Sequence, residues 1–163
     1  GRKIENFFYC VLLIQLGKEN EDITSMPRVE RFRGSLRGEL VADSDDTEEY
    51  EKARVIWNGD WTIPNAPRFI VHCRGVSDVQ KCVRFAKEEG LEVAVRCGGH
   101  SLRGLSTNEG GLVIDLGKYM RAISVDAEAR EVWFEGGCLV KDVDSETEPY
   151  GLCTVLGAVG NAG

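Results

Sequence analysis

Apolar residues in the middle of the chain follow two patterns, short uninterrupted runs and a helical spacing. Phe69–Val71 and Val93–Val95 are runs of three apolar residues, which is typical of buried strands. Between them, apolar residues from Val79 to Ala86 recur at helical spacing, and Gly90 stands where that helix would end. Residues 68–96 are therefore predicted to form a strand–helix–strand unit, with parallel strands and the helix packed on the sheet.

Capping residues predict further elements on both sides of this unit. Ser77 is a predicted N-cap of its helix, and Asp46 is a predicted N-cap of an earlier helix, with Glu49 at the capping-box position. Tyr50 and Trp57 would share one face of that earlier helix. The remaining predicted elements are strands at Phe32–Val41, Leu112–Leu116, Ile123–Val125 and Val132–Phe134, the last two as a hairpin, and a helix at Leu139–Glu148.

The composition is that of a globular domain. A length of 163 residues fits one domain, and 42% apolar with 29% charged residues is ordinary for such a protein. The net charge of −7 makes nucleic acid an unexpected partner, because its phosphates would be repelled.

Residues 1–27 are predicted to be an extension outside the domain. Their apolar run, Phe7–Leu16, is shorter than the roughly 20 residues that cross a bilayer, so no membrane partner is expected. The run is similar to the apolar part of a secretory signal, but no small-residue cleavage site follows it. Signal-like, disordered and buried interpretations stay open. The compartment also stays open, with the cytoplasm slightly favoured over secretion.

The six cysteines are scattered and form no CxxC pair, so they predict buried or half-buried free thiols rather than a disulfide framework. A zinc site using Cys73, Cys97 and His100 is a conceivable alternative. Its ligand spacing matches no common zinc pattern, and we therefore expect no metal.

Two glycine-rich segments carry the candidate chemistry. The first is VRCGGHSLRG, from Val95 to Gly104, and it directly follows a predicted strand. Glycine turns expose backbone amides that can surround an anion such as a pyrophosphate. The segment lacks both the Walker and the Rossmann glycine patterns. Taken alone, it could equally be a simple turn with a surface histidine.

The second segment is GLCTVLGAVGNAG, from Gly151 to Gly163. Two separate segments that lack bulky side chains suggest a long flat ligand that lies against the main chain, and a dinucleotide is the natural candidate. The alternative is a tightly packed strand or turn.

The order and spacing of four motifs resemble one known family. RVIWNG, PRFIVHCRGVSDVQKCVRFAKEEGLEVAVRCGGHSLRG, GGLVIDL and YGLCTVLGAVGNAG resemble the FAD-linked oxidases of the berberine-bridge-enzyme-like group, in the vanillyl-alcohol-oxidase superfamily. The resemblance implies an α+β fold, the N-terminal portion of a PCMH-type FAD-binding domain. We expect a small mixed sheet with the strand–helix–strand unit and packed helices. Residues 28–163 would form this domain incompletely, with its C-terminal part and the substrate domain absent.

The resemblance also implies a cofactor and its contacts. FAD would be bound covalently, because His100 matches the histidine that the family joins to the 8α carbon of the flavin. The implied cofactor-binding residues are Arg96, Cys97, Gly98, Gly99, His100, Ser101 and Gly104 in the first segment, and Gly157, Val159, Gly160 and Gly163 in the second.

Two positions depart from the family pattern. Cys97 replaces a glycine that usually precedes the histidine, which reduces the dihedral freedom of the loop. Some members have a second flavin link through a cysteine, but the matching position here is Val159, and Cys153 lies six residues earlier. We therefore expect a single link, through His100.

The resemblance implies an oxidoreductase that transfers hydride from an alcohol or amine carbon to FAD, with dioxygen as acceptor and a small molecule as substrate. A dehydrogenase with another acceptor stays open. No residue present is assigned as catalytic base. The alternative function is a non-catalytic or remnant flavin-binding module, and we expect this chain alone to be inactive.

Overall fold

A computed structural model describes residues 27–59 and 62–163. Its centre is a four-stranded mixed sheet, and a separate two-stranded hairpin lies beside it. The elements in chain order are α1 (Arg28–Ser35), β1 (Glu39–Ala42), α2 (Thr47–Arg54), β2 (Phe69–His72), α3 (Val76–Glu89), β3 (Val93–Arg96), β4 (Leu112–Asp115), β5 (Ile123–Asp126), β6 (Glu131–Phe134), α4 (Val140–Thr147) and a short 3-10 helix (Glu148–Tyr150).

The strand order in the main sheet is β1-β2-β4-β3. Both β2 and β3 run parallel to β4, and β1 is antiparallel to β2. The predicted strand–helix–strand unit is thus confirmed, although β4 lies between its two strands. The three parallel strands end at one edge of the sheet, which is where ligands bind in open sheets of this kind.

The sheet is held by apolar residues on both of its faces. Ile70, Val71, Leu112 and Val113 are fully buried, as expected for parallel strands that are covered on two sides. Such side chains each contribute about 1.5–3 kcal/mol when they leave water. This core gives the strand ends a rigid base.

The predicted strand from Phe32 to Val41 is wrong in its first half, which is α1. Val29, Phe32 and Leu36 follow a helical spacing and pack against the core on one side of the sheet. The Phe32 ring stacks on Phe85 of α3, with centroids 4.0 Å apart. Only Glu39–Ala42 forms the strand.

The predicted N-cap at Ser77 is also wrong, because Gly75 occupies that position. The Asp78 carboxylate, in the first turn of α3, accepts hydrogen bonds from the backbone N–H groups of Arg37, Gly38 and Arg74. Because the helix begins at Val76, Asp78 lies in its first turn, where these amides cover its carboxylate. At the other end, Gly90 has a φ of 67°, as the predicted stop requires.

Asp46 caps α2 as predicted, since its side chain accepts from the backbone N–H groups of Glu48 and Glu49. Trp57 does not share a buried helix face with Tyr50. The helix ends at Arg54, and Trp57 is 66% exposed. The reason is tertiary: Arg96 binds the carbonyl groups with which the helix would continue.

The hairpin of β5 and β6 is confirmed, and α4 begins one residue after the predicted position. Cys73, Cys82 and Cys138 are buried free thiols as predicted, and Cys97 is half-buried, but Cys153 is exposed. The predicted extension of residues 1–27 lies outside the described residues except for Pro27, so that boundary stays a prediction.

Candidate functional site

The first glycine segment continues directly from the end of β3. Gly99 and Gly104 have φ values of 71° and 73°, a conformation that glycine adopts without strain. Cys97, which replaces a usual glycine, does not have a positive φ. The substitution therefore leaves the turn intact, because the two positions that need glycine still have it.

The two glycine-rich segments contact each other through their backbones. A Cβ atom built on Gly98 would lie 2.6 Å from the carbonyl oxygen of Asn161. A Cβ atom built on Gly163 would lie 2.2 Å from Cys97 Sγ. Sequence positions about 60 residues apart thus form one surface, and it depends on the absence of side chains at Gly98 and Gly163.

The start of α4 holds the second segment in place. The backbone N–H groups of Val140 and Lys141 donate to the carbonyl oxygens of Ala162 and Gly160, at 2.8 and 2.9 Å. Lys141 Nζ also donates to Asn161 Oδ1 at 2.8 Å. These backbone amides, which a helix start leaves without helical partners, are thereby satisfied by the segment itself.

Arg96 is a buried structural residue rather than an exposed anion ligand. Its guanidinium group is directed inward, with Nη2 2.6 Å from Asp115 Oδ2 and 2.7 Å from the carbonyl oxygen of Ala53. Nη1 lies 3.5 Å from the carbonyl oxygen of Val55. The guanidinium group thus connects two strands of the sheet to the end of α2.

Asp115 is the centre of a row of polar residues at the strand ends. It pairs in register with Arg96 on one side and with His72 on the other, and His72 Nδ1 lies 3.5 Å from Asp115 Oδ2. Burial raises the pKa of the Asp115 carboxyl, but His72 and Arg96 lower it more, so this pKa lies below its ordinary value. Asp115 therefore stays ionised and keeps Arg96 in place.

His100 lies next to the contact between the segments. Its imidazole stacks on the Trp57 indole, with centroids 5.0 Å apart and an interplanar angle of 23°. His100 Nε2 is buried and has no hydrogen-bond partner within the described part of the chain. A buried polar atom without a partner is uncommon in folded proteins and points to a missing interaction.

An open cleft of about 500 Å³ lies at this edge of the sheet. Burial raises the pKa of the Cys97 thiol, so this lining residue is neutral at pH 7. The lining residues are Trp57, His72, Cys97, Gly98, Asp115, Gly117, Lys118, Leu139, Lys141 and Asn161. The cleft therefore combines a bare backbone surface with an aromatic wall and two lysines.

The described residues match known proteins along most of their length. Residues 67–162 match the protein family described as the FAD binding domain. The chain belongs to this family of FAD-linked oxidoreductases. The resemblance and the α+β fold expected from the sequence are both confirmed.

Three relatives illustrate this membership. FAD-linked oxidoreductase pgmH of Aspergillus terreus is 39% identical over 137 residues, which cover 83% of this chain and 27% of that protein. Berberine bridge enzyme-like 18 of Arabidopsis thaliana is 31% identical over 67% of this chain and 23% of its own length. The crystal structure of 6-hydroxy-D-nicotine oxidase from Arthrobacter nicotinovorans is similar with a TM-score of 0.72 and 35% identity, over 79% of this chain and 27% of that one. The chain thus spans about a quarter of the length of the relatives it matches.

The FAD-domain fold brings some of the predicted site residues together and leaves others apart. Cys97, Gly98, His100, Gly160 and Gly163 surround the contact between the two segments. Ser101 and Gly104 lie further along the first loop, where Ser101 Oγ accepts from the backbone N–H of Leu105 and Gly104 packs against Ile63. In the second segment, Val159 is 55% exposed and Gly157 packs against Ala162 and Val140.

Cys153 lies elsewhere on the FAD domain, in a cavity that it lines with Arg130 and Trp133. Across residues 27–59 and 62–163, no three His, Cys, Asp or Glu side chains gather where they could hold a metal ion. None of the helices that the structure describes is long and apolar enough to cross a bilayer.

Sequence reasoning missed several residues at the site of this FAD-domain family. Asp115 ends a parallel strand, and the rule that ligands bind at such ends could have identified it. Trp57 and Asn58 belong to the RVIWNG motif, which indicates the family but assigns no role to either residue. Lys141 gave no signal, because its proximity to Asn161 depends on how α4 packs.

Proposed function

We propose that the two glycine segments bind FAD along their shared backbone surface and that the flavin is joined to His100. The observation that carries the proposal is the contact of Gly98 with Asn161, where even one methyl group would collide with a carbonyl oxygen. Membership of the FAD binding domain family supports the choice of ligand. Residues 28–163 would form this domain, and residues 1–27 would lie outside it.

The residues present fit the cofactor. The cleft is lined by Gly98 and Gly117, which have no side chains, and by the Trp57 indole, and this combination suits a flat ligand. His100 offers a ring nitrogen without a partner. Cys97 would line the cleft, and Arg96 would hold the loop in place. FAD would be contacted through backbone by Gly98, Gly99, Ser101, Gly104, Gly157, Val159, Gly160 and Gly163.

The chain's own residues would prepare the covalent link. His100 would supply the ring nitrogen that bonds to the flavin 8α carbon, with loss of one proton from the imidazole and one from that carbon. The electron pair released would be taken up by an acceptor such as dioxygen. The Asp115–Arg96 pair would hold the backbone that leads to His100, and the close approach of Gly98 to Asn161 brings the two segments together.

When bound, FAD would supply the redox chemistry by accepting hydride from an alcohol or amine carbon of a small-molecule substrate. The similar 6-hydroxy-D-nicotine oxidase is named as an oxidase, which supports dioxygen as acceptor. A second candidate is a flavin-binding module without turnover.

The test is His100→Ala in the full-length gene product. We expect flavin that survives acid precipitation in the wild type and only dissociable flavin in the variant. Trp133→Ala is the control, because Trp133 is an exposed ring that lines a different cavity, and covalent flavin should persist in it. Covalent flavin that persists in His100→Ala would overturn the assignment. Steady oxygen consumption with a substrate would exclude the module without turnover.

A further inference from the structure

We infer that residues 55–58, here called the clasp, position His100 for bond formation with the flavin. This inference rests on the proposed function. Trp57 and Asn58 are its positioning residues, and neither is a predicted cofactor contact.

The clasp holds the backbone on both sides of His100. The backbone N–H of Trp57 donates to the carbonyl oxygen of Gly99 at 3.3 Å. Asn58 Nδ2 donates to the carbonyl oxygens of Ser101 and Leu102, each at 3.1 Å. Three carbonyl groups that flank His100 in sequence are therefore fixed by two consecutive residues.

The clasp also holds the His100 ring. The Trp57 indole is 66% exposed, and its contact with the imidazole is a face-to-face stack at 5.0 Å. The stack restricts the imidazole to one plane, and bond formation is fastest when the nucleophile is already oriented.

The clasp is itself anchored to the sheet. Arg96 donates to the carbonyl oxygens of Ala53 and Val55, at 2.7 and 3.5 Å, and it is bound to Asp115 through the same guanidinium group. A continuous set of contacts therefore runs from β4 through Arg96 to the clasp, and from the clasp to His100. The sheet thus sets the position of the imidazole through Trp57.

The experiment compares Trp57→Ala, Trp57→Phe and Asn58→Ala in the full-length gene product, made as apoprotein and mixed with FAD. Covalent flavin is followed over time by acid precipitation, and total bound FAD is measured on the native protein. We expect Trp57→Ala and Asn58→Ala to form the covalent link roughly 10- to 100-fold more slowly, as expected for a misplaced reacting group. Total bound FAD should change less than about twofold in Asn58→Ala, since Asn58 does not line the cleft, and Trp57→Phe should restore most of the rate because it keeps an aromatic stack.

The matched control is Trp133→Ala, which removes another exposed tryptophan, 74% exposed on β6, and should leave the rate unchanged. A second readout needs no flavin: in apoprotein labelled at histidine, the His100 ring proton shifts should move in Trp57→Ala and not in Trp133→Ala. Wild-type rates and shifts in Trp57→Ala would overturn the inference. Covalent flavin in His100→Ala would overturn the proposed function instead, so the two failures are distinguishable.

Discussion

The two glycine-rich segments at the site are held in different ways. Residues 97–104 follow a buried strand and are fixed by Arg96 and by the clasp. Residues 157–163 lie mostly at the surface and are bound chiefly by the first amides and Lys141 of α4. The backbone surface that the two segments form therefore has a rigid half, residues 97–104, and a more weakly anchored half, residues 157–163. His100, the proposed site of the flavin link, belongs to the rigid half, where its geometry can be maintained.

The largest expected effect comes from breaking the anchor of the rigid half with Arg96→Ala. Removing one partner of a buried ion pair leaves Asp115 as an uncompensated charge, so the free energy of unfolding should fall by about 3–5 kcal/mol. Urea unfolding of the full-length protein would measure it. Arg84→Ala, an exposed arginine on α3, is the control and should change stability by less than about 0.5 kcal/mol. Equal stability of both variants would contradict the anchoring role.

The next effect tests the contact between the halves with Gly98→Ala. The added methyl group would lie 2.6 Å from the Asn161 carbonyl oxygen, so the second segment must move away, at a cost of about 1–3 kcal/mol. FAD affinity, measured by titration of the apoprotein, should fall by about tenfold or more. Gly34→Ala is the matched control, because a Cβ atom built on Gly34, in α1, meets nothing within 4 Å. Unchanged FAD affinity in Gly98→Ala would contradict a role of the Gly98–Asn161 contact in FAD binding.

Acid should weaken the rigid half through Asp115. The pKa of this carboxyl is lower in the folded protein than the ordinary value of about 3.9, because His72 and Arg96 outweigh the effect of burial. The unfolded state therefore binds the proton more readily, and the contribution of Asp115 to stability is present above about pH 4 and is lost below it. Melting temperatures between pH 7 and pH 3 should fall less steeply in Asp115→Asn than in the wild type. Parallel curves would refute this account.

The smallest effect concerns the thiol between the two halves. Burial raises the pKa of Cys97, whereas Cys153 is exposed, so iodoacetamide should label Cys97 more slowly at pH 7.5. Mass spectrometry of the digested protein measures both rates. Gly98→Ala should speed the labelling of Cys97 a few-fold by displacing the second segment. Cys97 labelling as fast as that of Cys153 in the wild type would mean that the halves do not cover the sulfur.

Local signals were enough to predict much of the molecule. Three-residue apolar runs identified β2 and β3, and Asp46 and Gly90 marked helix ends, because caps and strands depend on neighbouring residues. Local signals failed where distant residues decided the outcome. Phe32 belongs to a helix because it stacks on Phe85, and Trp57 leaves the helix because Arg96 binds the carbonyl groups of the preceding turn.

The sequence by itself determined the parallel strands, the two glycine segments, the histidine within the first of them and the family, since each depends on residue type and spacing along the chain. Only the tertiary structure decided that β4 lies between β2 and β3, that Arg96 faces inward to Asp115, and that Trp57 stacks on His100. The physical reason is that these contacts join residues from 19 to 43 positions apart. Their energies depend on packing and charge in three dimensions, which no local pattern records.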